Sequence, residues 1–333
     1  MKKLINHRDT MVTDMIAGYL AAYPGQVAAG AHPRLVRRAV PKDAARVRLM
    51  IGNGCGHEPI AMGFVGAGML DGNMVGDVFA APSSDLILAA LRELATPAGV
   101  ILLISRHEGD VINGMEAALQ AADEGLRVVP FWMYDDISSA PRDRADDRRG
   151  AAGTLFVYKM LGAAAEEGRD LDALLTLAED VRARTVTLGA ALNPGISPLT
   201  GLPMFTLAPD EVYVGMGVHG EPGVARRKVE PVRDLVAFLL DRLLADLAPP
   251  KDQTLIPLVN GAGGTTIMEL LTVYGEVAAG LSARGFRAVS PCIGSLSTTQ
   301  EMAAFSVSLL SATDDMLALW RAPQATPHFP VIR

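Results

Sequence analysis

The chain has 333 residues, of which 50% are hydrophobic and 20% charged, with a formal net charge of −7. That much apolar side chain fills two cores, since a single core seldom grows past roughly 250–300 residues, and it excludes a disordered tail or a fibre. The acidic balance argues against nucleic acid, the two cysteines Cys55 and Cys292 against a disulfide framework or a thiolate zinc site, and the lack of a run of about 18 apolar residues against a membrane span.

The opening Met1-Lys2-Lys3-Leu4-Ile5-Asn6-His7-Arg8 is basic but runs into charge instead of an apolar segment, so a cytoplasmic location is expected. In chain order, a buried strand is predicted over 47–51, ending at Gly52-Asn53-Gly54-Cys55-Gly56, and a helix over 85–94. A second strand over 100–104 ends at Ser105-Arg106-His107-Glu108-Gly109-Asp110. A helix over 111–124, closed by Gly125, leads to a third strand over 128–133 that ends at Tyr134-Asp135-Asp136. This alternation predicts a doubly wound parallel sheet, which binds ligands at the carboxyl ends of its strands. The segments after Ile51 and Ile104 sit at such ends.

Helices over 154–167 and 171–182 follow. Beyond residue 185 the texture changes: strands over 185–191, 204–206, 212–218 and 255–259 interleave with helices over 232–247, 266–284 and 298–305, and 306–310 and 316–320 finish the pattern. Two domains are therefore expected, an N-terminal doubly wound α/β domain over 1–185 and a C-terminal α+β domain over 186–333. Pro249-Pro250-Lys251-Asp252 reads as a short connector.

Two histidine segments carry the chemistry: Gly52-Asn53-Gly54-Cys55-Gly56-His57-Glu58-Pro59 and Val218-His219-Gly220-Glu221-Pro222-Gly223. Each sets an imidazole in a glycine-rich turn, where missing Cβ atoms let a small polar ligand reach backbone N–H groups and the ring together. They read as two halves of one site. Glu58 and Glu221 as metal ligands is the weaker reading, because no third ligand lies at a familiar spacing and a carboxylate also orients a histidine. A phosphate-cradling loop is disfavoured, as there is no P-loop lysine and no G-x-G-x-x-G. Asp110 reads either as an N-cap of the following helix or as a general base for a substrate hydroxyl, and the two roles are compatible. Cys55 reads as a small packing residue in preference to a nucleophile. Asp135-Asp136 and Asp314-Asp315 read as turn and capping residues, and Arg148-Arg149 and Arg226-Arg227-Lys228 as solvated loops.

At these segments the chain resembles the dihydroxyacetone kinase family, specifically its stand-alone substrate-binding K subunit (DhaK-like). The resemblance runs from Met1-Lys2-Lys3-Leu4-Ile5-Asn6 through Gly52 to Pro59, Gly66-x-Gly68-Met69-Leu70, Phe79-x-x-Pro82, Gly109-Asp110, Arg148-Arg149-Gly150 and Phe205-Thr206-Leu207. It continues through Gly215-x-Gly217-Val218-His219-Gly220-Glu221-Pro222-Gly223, Leu258-Val259-Asn260, Phe305-Ser306 and Leu317-Ala318-Leu319-Trp320-x-Ala322-Pro323. It implies a two-domain dihydroxyacetone kinase/DegV-like architecture and a kinase subunit that takes a short ketose. It further implies that His219 joins the ketone carbon as a hemiaminal, that His57 and Asp110 contact the hydroxyls with Asp110 as base, and that Gly54 supplies a backbone contact. No cofactor is expected on this chain: the resemblance places ATP and magnesium on a separate helical L-type subunit, and it implies a homodimer.

The chain departs from the family where the usual Lys-Asn-Tyr-Thr-Gly-Asp is replaced by Ser105-Arg106-His107-Glu108-Gly109-Asp110, and where Asn53 and Cys55 replace Gly and Ser. Gly54, Cys55, Ser105, Arg106 and His107 are thus expected to line the pocket, and the shorter Ser105 favours a longer or branched ketose such as erythrulose or apulose. Arg106 restoring the lost donor is the competing reading. Two other functions stay open: a catalytically silent paralogue that senses a ketose and regulates a partner, and a lipid-binding protein on the same architecture.

Overall fold

The computed structural model describes residues 2–251 and 253–332; Met1 of the opening motif and Asp252 of the connector lie outside them. The chain forms two compact units. The first comprises Met1–Met133, Val157–Glu179 and Ala322–Val331, the second Tyr134–Phe156, Asp180–Arg321 and Ile332–Arg333. This segmentation is discontinuous, which a single boundary near residue 185 does not describe in full. Local bonds explain it: Asp135 O accepts from Thr187 N–H at 2.7 Å and Thr187 O from Ile137 N–H at 3.0 Å, tying 134–156 to the second unit. Ala325 N–H bonds Ala67 O at 2.9 Å and His328 N–H bonds Gly63 O at 3.1 Å, tying the last segment to the first.

The first unit contains α1 (Met11–Ala22), β1 (Val27–Ala29), β2 (Leu35–Arg38), β3 (Arg48–Cys55), β4 (Gly72–Val78), α2 (Ser84–Leu94), β5 (Val100–Ser105), α3 (Glu108–Asp123) and β6 (Val128–Met133), with most of α4 (Thr154–Glu167) and α5 (Leu171–Ala183). Its sheet runs β1-β2-β4-β3-β5-β6. The last four strands are mutually parallel, while β1 and β2 add antiparallel at the edge. The unbroken apolar run Val100 to Ile104 marks a strand covered on both faces. Leu102 and Ile104 join Met50, Ile87, Leu91, Ala117 and Ala121 in a core under α2 and α3. Leu49, Ile51, Ile101 and Leu103, which point the other way, are equally buried.

The second unit contains β7 (Thr185–Asn193), β8 (Glu211–Val214), β9 (Ala225–Lys228), α6 (Val232–Leu247), β10 (Thr254–Gly261), α7 (Ile267–Ala283), β11 (Arg287–Ala288), β12 (Cys292–Gly294), β13 (Ala303–Ser311) and α8 (Asp314–Arg321). Its sheet runs β11-β10-β13-β7-β8-β9, with β12 also on β10. All ladders from β10 to β9 are antiparallel; β11 and β12 pair parallel to β10. Leu235, Leu239 and Leu243 of α6 and Val273, Val277 and Leu281 of α7 bury against Val186, Leu188, Val307 and Leu309. Thr266 and Glu269 close a reciprocal capping box at the start of α7. The fold is thus the expected pairing of a parallel α/β unit with an α+β unit.

Three local expectations are corrected. Residues 298–305 form no helix, because the alternation Phe305-Ser306-Val307-Ser308 enrols the segment in β13, while Thr299 and Gln300 turn the chain ahead of it. Residues 204–206 form no strand, and β8 stops at Val214 because Gly215 has φ +78°. Arg226-Arg227-Lys228 lie in edge strand β9, where they pair with Glu211, Glu230 and Asp210. The sequence reading also passed over α1, β1, β2 and β4, which are short or glycine-interrupted.

Candidate active site

β3 and β5 are neighbouring parallel strands, so their carboxyl ends open side by side in the first unit. The glycine cluster after Ile51 belongs to β3 itself, and its missing Cβ atoms accommodate the protein's own chain. A Cβ on Gly52 would meet Ile87 at 2.9 Å, one on Gly54 the backbone N of Ala80 at 2.7 Å, and one on Gly56 the Phe79 ring at 2.6 Å. These missing Cβ atoms let residues 79–82 close over the strand end. Gly56 also requires its φ of +98°.

His57 follows, 8% exposed, with its ring centroid 5.1 Å from that of Phe79. Both oxygens of Glu58 accept the Gly56 N–H, at 2.9 and 3.1 Å. Burial pushes the Glu58 carboxyl up, against those backbone bonds. Cys55 is buried, and desolvation raises its thiol to about 12, which disfavours a nucleophilic thiolate.

At the end of β5, Ser105 Oγ lies 3.1 Å from His107 Nδ1, and that nitrogen lies 3.9 Å from Asp110 Oδ2. Asp110 is buried in the first turn of α3, but the N-cap position is held by His107, which makes no side-chain capping bond; the N-cap reading of Asp110 is therefore corrected. The positive end of the helix offsets part of the cost of a buried carboxylate there. The Arg106 guanidinium sits 5.1 Å from the Trp132 ring centroid on the adjoining strand β6. Ser105, His107 and Asp110 therefore form one group, with Arg106 engaged by Trp132 beside it.

In the second unit, His219 stands in a tight turn held by Gly217 N–H to Glu221 O at 3.0 Å and Gly220 N–H to Gly217 O at 3.1 Å. Glu221 holds the histidine twice: Oε2 accepts its backbone N–H at 2.8 Å, and Oε1 lies 3.3 Å from ring Nδ1. Burial raises the Glu221 carboxyl, but the bonds and charge of His219 outweigh it and hold the group at about 2. Arg149 Nη1 approaches the same carboxylate at 4.0 Å. Its Nε and Nη2 grip Asp136 at 3.1 and 2.8 Å, and Nη2 also donates to Gly215 O at 3.2 Å.

Arg149 and Asp136 are functional candidates that sequence reasoning placed elsewhere. Arg148 lies in a loop but is not solvated: it is 2% exposed and bonds both oxygens of Asp246. Asp135 is fully buried and accepts from Ala151 N–H, Gly153 N–H and the Thr187 hydroxyl. Asp314 and Asp315 are not caps but lie in the first turn of α8, where Thr313 Oγ1 accepts the Met316 N–H at 3.2 Å.

The first unit thus carries glycine-braced strand ends with a buried histidine and aspartate, and the second a carboxylate-held histidine turn. Residues 17–328 match the Dak1 domain, and the chain belongs to that family. It is 34% identical over 332 residues to the PTS-dependent dihydroxyacetone kinase 2, dihydroxyacetone-binding subunit DhaK, of Listeria innocua, covering 99% of this chain and 100% of that one. It is 36% identical over 329 residues to D-erythrulose kinase of Mycolicibacterium smegmatis, covering 99% of this chain and 56% of the relative, so it spans just over half of that protein. Among solved structures it is similar to the dihydroxyacetone kinase operon co-activator Dha-DhaQ, with TM-score 0.89 and 33% identity over 95% of this chain and 97% of that one. A fatty-acid-binding DegV family protein from Thermus thermophilus shares the fold alone, at TM-score 0.51 and 15% identity over 80% of this chain and 100% of that one. Among the described residues no helix is long and apolar enough to cross a membrane.

Proposed function

We propose that this chain is the ketose-binding subunit of a dihydroxyacetone-type kinase. It takes a short ketose as a hemiaminal of His219, with His57 and Asp110 on the hydroxyls, for phosphorylation by a helical, ATP- and magnesium-bearing partner subunit. The observation that carries this reading is the double hold of Glu221 on His219. With Nδ1 as the donor to that carboxylate, the lone pair for attack is the one on Nε2. Nε2 adds to the ketone carbon, the carbonyl π electrons move to oxygen, and that oxygen takes a proton from solvent. The imidazolium so formed is balanced by the ionised Glu221. A short ketose offers little apolar area, so a reversible covalent bond supplies affinity and rejects alcohols without a carbonyl. Asp110 is assigned the proton of the accepting hydroxyl; the rest of phosphoryl transfer is alignment and charge stabilisation on the partner.

The Ser105 and His107 pair supports a ketose longer than dihydroxyacetone, because a serine leaves room for a further carbon and the imidazole offers a partner to its hydroxyl. The similarity to the operon co-activator favours a second reading, a ketose sensor without catalysis. A sensor has no need of the base at Asp110. The two readings separate when the chain is assayed with a helical L-type partner and ATP on dihydroxyacetone, erythrulose and apulose. ATP consumption only with both proteins present, and with kcat/KM several-fold higher for a four- or five-carbon ketose, is the expected result. Adduct formation without turnover supports the sensor, and a clear preference for dihydroxyacetone removes the argument from Ser105.

A further inference from the structure

At the opposite end of the first unit's sheet, a cavity of about 170 Å³ is lined by Arg37, Arg38, Lys42, Arg48, Asp71 and Glu93. Arg48 opens β3 and Asp71 immediately precedes β4, so the cavity lies at the amino ends of the strands whose carboxyl ends lead to His57 and Asp110. Its charges do not cancel. Asp71 is saturated by Lys42 Nζ at 2.8 Å, Arg38 Nη1 at 3.1 Å and Leu49 N–H at 2.8 Å. Arg38 is also paired with Glu166 at 2.6 Å. Arg48 donates only to carbonyls, Leu94 O at 3.2 Å and Lys42 O at 3.3 Å, and among the described residues it makes no ion pair. Its buried Nε has no hydrogen-bond partner, and neither has that of Arg37, which lies 3.0 Å from Glu93 Oε1 without its N–H aimed there. Arg37 Nε is ion-paired with Glu93, so the Arg48 Nε–H is the donor left unmade at a cavity whose lining carries surplus positive charge. Such a donor costs free energy unless an acceptor enters, and a planar guanidinium matches the oxygens of phosphate.

We propose that this cavity is a binding site for a small phosphate-class oxyanion, separate from the histidine site, with Arg48 supplying the open donor and Arg37, paired with Glu93, adding positive charge to the lining. Lys42 and Arg38 hold its wall through Asp71. The site needs no ketose and no partner subunit.

The test is titration calorimetry of the whole chain in a buffer free of phosphate and sulfate, with inorganic phosphate and, in a parallel arm, glycerol 3-phosphate. Saturable binding is expected, weakened at least about tenfold in Arg48→Gln, as removal of a charge-assisted bond predicts, and unchanged in His57→Asn. Arg37→Gln is the second variant and is expected to weaken binding in the same direction, with circular dichroism checking that both fold. Phosphate binding alone assigns the site to the free ion, and tighter glycerol 3-phosphate binding to a phosphate monoester. Absence of saturable binding by the unaltered chain at millimolar anion overturns the proposal, as does binding lost in His57→Asn but kept in both arginine variants.

Discussion

Glu221 holds His219 by two atoms at once, the backbone N–H at 2.8 Å and ring Nδ1 at 3.3 Å, so one carboxylate fixes both the turn and the orientation of the imidazole. Glu221→Gln keeps the size but loses the charge that balances an imidazolium. The adduct is expected to weaken by about tenfold or more, since a hydrogen bond to a charged group contributes about 1.5–3 kcal/mol. Because the native carboxyl is held at about 2, below its ordinary value, its charge is present above the ordinary carboxylate range and is lost only as pH falls through about 2. Adduct titrations between pH 5 and 8 should therefore show no limb from Glu221. Such a limb abolished by Glu221→Gln contradicts this assignment.

Asp110 is buried in the first turn of α3, 3.9 Å from His107. Asp110→Asn should leave ketose binding in place while phosphoryl transfer with the partner falls roughly 10²–10⁴-fold, the usual contribution of a positioned base. Single-turnover rates measured beside ketose dissociation constants separate the two. Equal losses in both demote Asp110 to a structural role.

The strand ends and the long helices were legible in the sequence because they are local features: 128–133 and 154–167 form a strand and a helix with the bounds that periodicity implies. The braces around the site were not. Arg148 reaches Asp246 across 98 residues, and Arg149 reaches Asp136 across 13, distances at which a pattern of neighbours carries no information. The close packing at the glycines at 52, 54 and 56 was hidden for the same reason: what fills their missing Cβ positions comes from 79–87. Short strands β1 and β2 owe their pairing to tertiary context, where propensity is weakest.

Gly54→Ala makes that point measurable. Its Cβ would stand 2.7 Å from Ala80 N and 3.0 Å from Ala80 O, both backbone atoms, so the strand end must shift. A loss of about 1–3 kcal/mol is expected from overpacking, read as a lowered midpoint in chemical denaturation. An unchanged midpoint shows that residues 79–82 are not seated on β3.

Burial pushes the Asp135 carboxyl up to about 6, against bonds from the Thr187 hydroxyl and the Ala151 and Gly153 N–H groups. The native chain then keeps this proton where the unfolded chain, titrating near roughly 3.9, has released it. The contribution of Asp135 makes stability fall as pH rises between those two values, and it levels above about 6. Asp135→Asn does not titrate, so urea unfolding of the two proteins from pH 4 to 7 should show the difference moving against the unaltered chain up to about pH 6 and then flat. A difference independent of pH contradicts the raised value.

The central claim is that His219 binds a ketose covalently, and intact-mass spectrometry of the chain incubated with ketoses, without borohydride, tests it most directly. The account predicts a mass increase equal to the whole ketose, since addition to the carbonyl loses no water, present in the unaltered chain and absent in a folded His219→Ala variant. The same increase persisting in His219→Ala contradicts it.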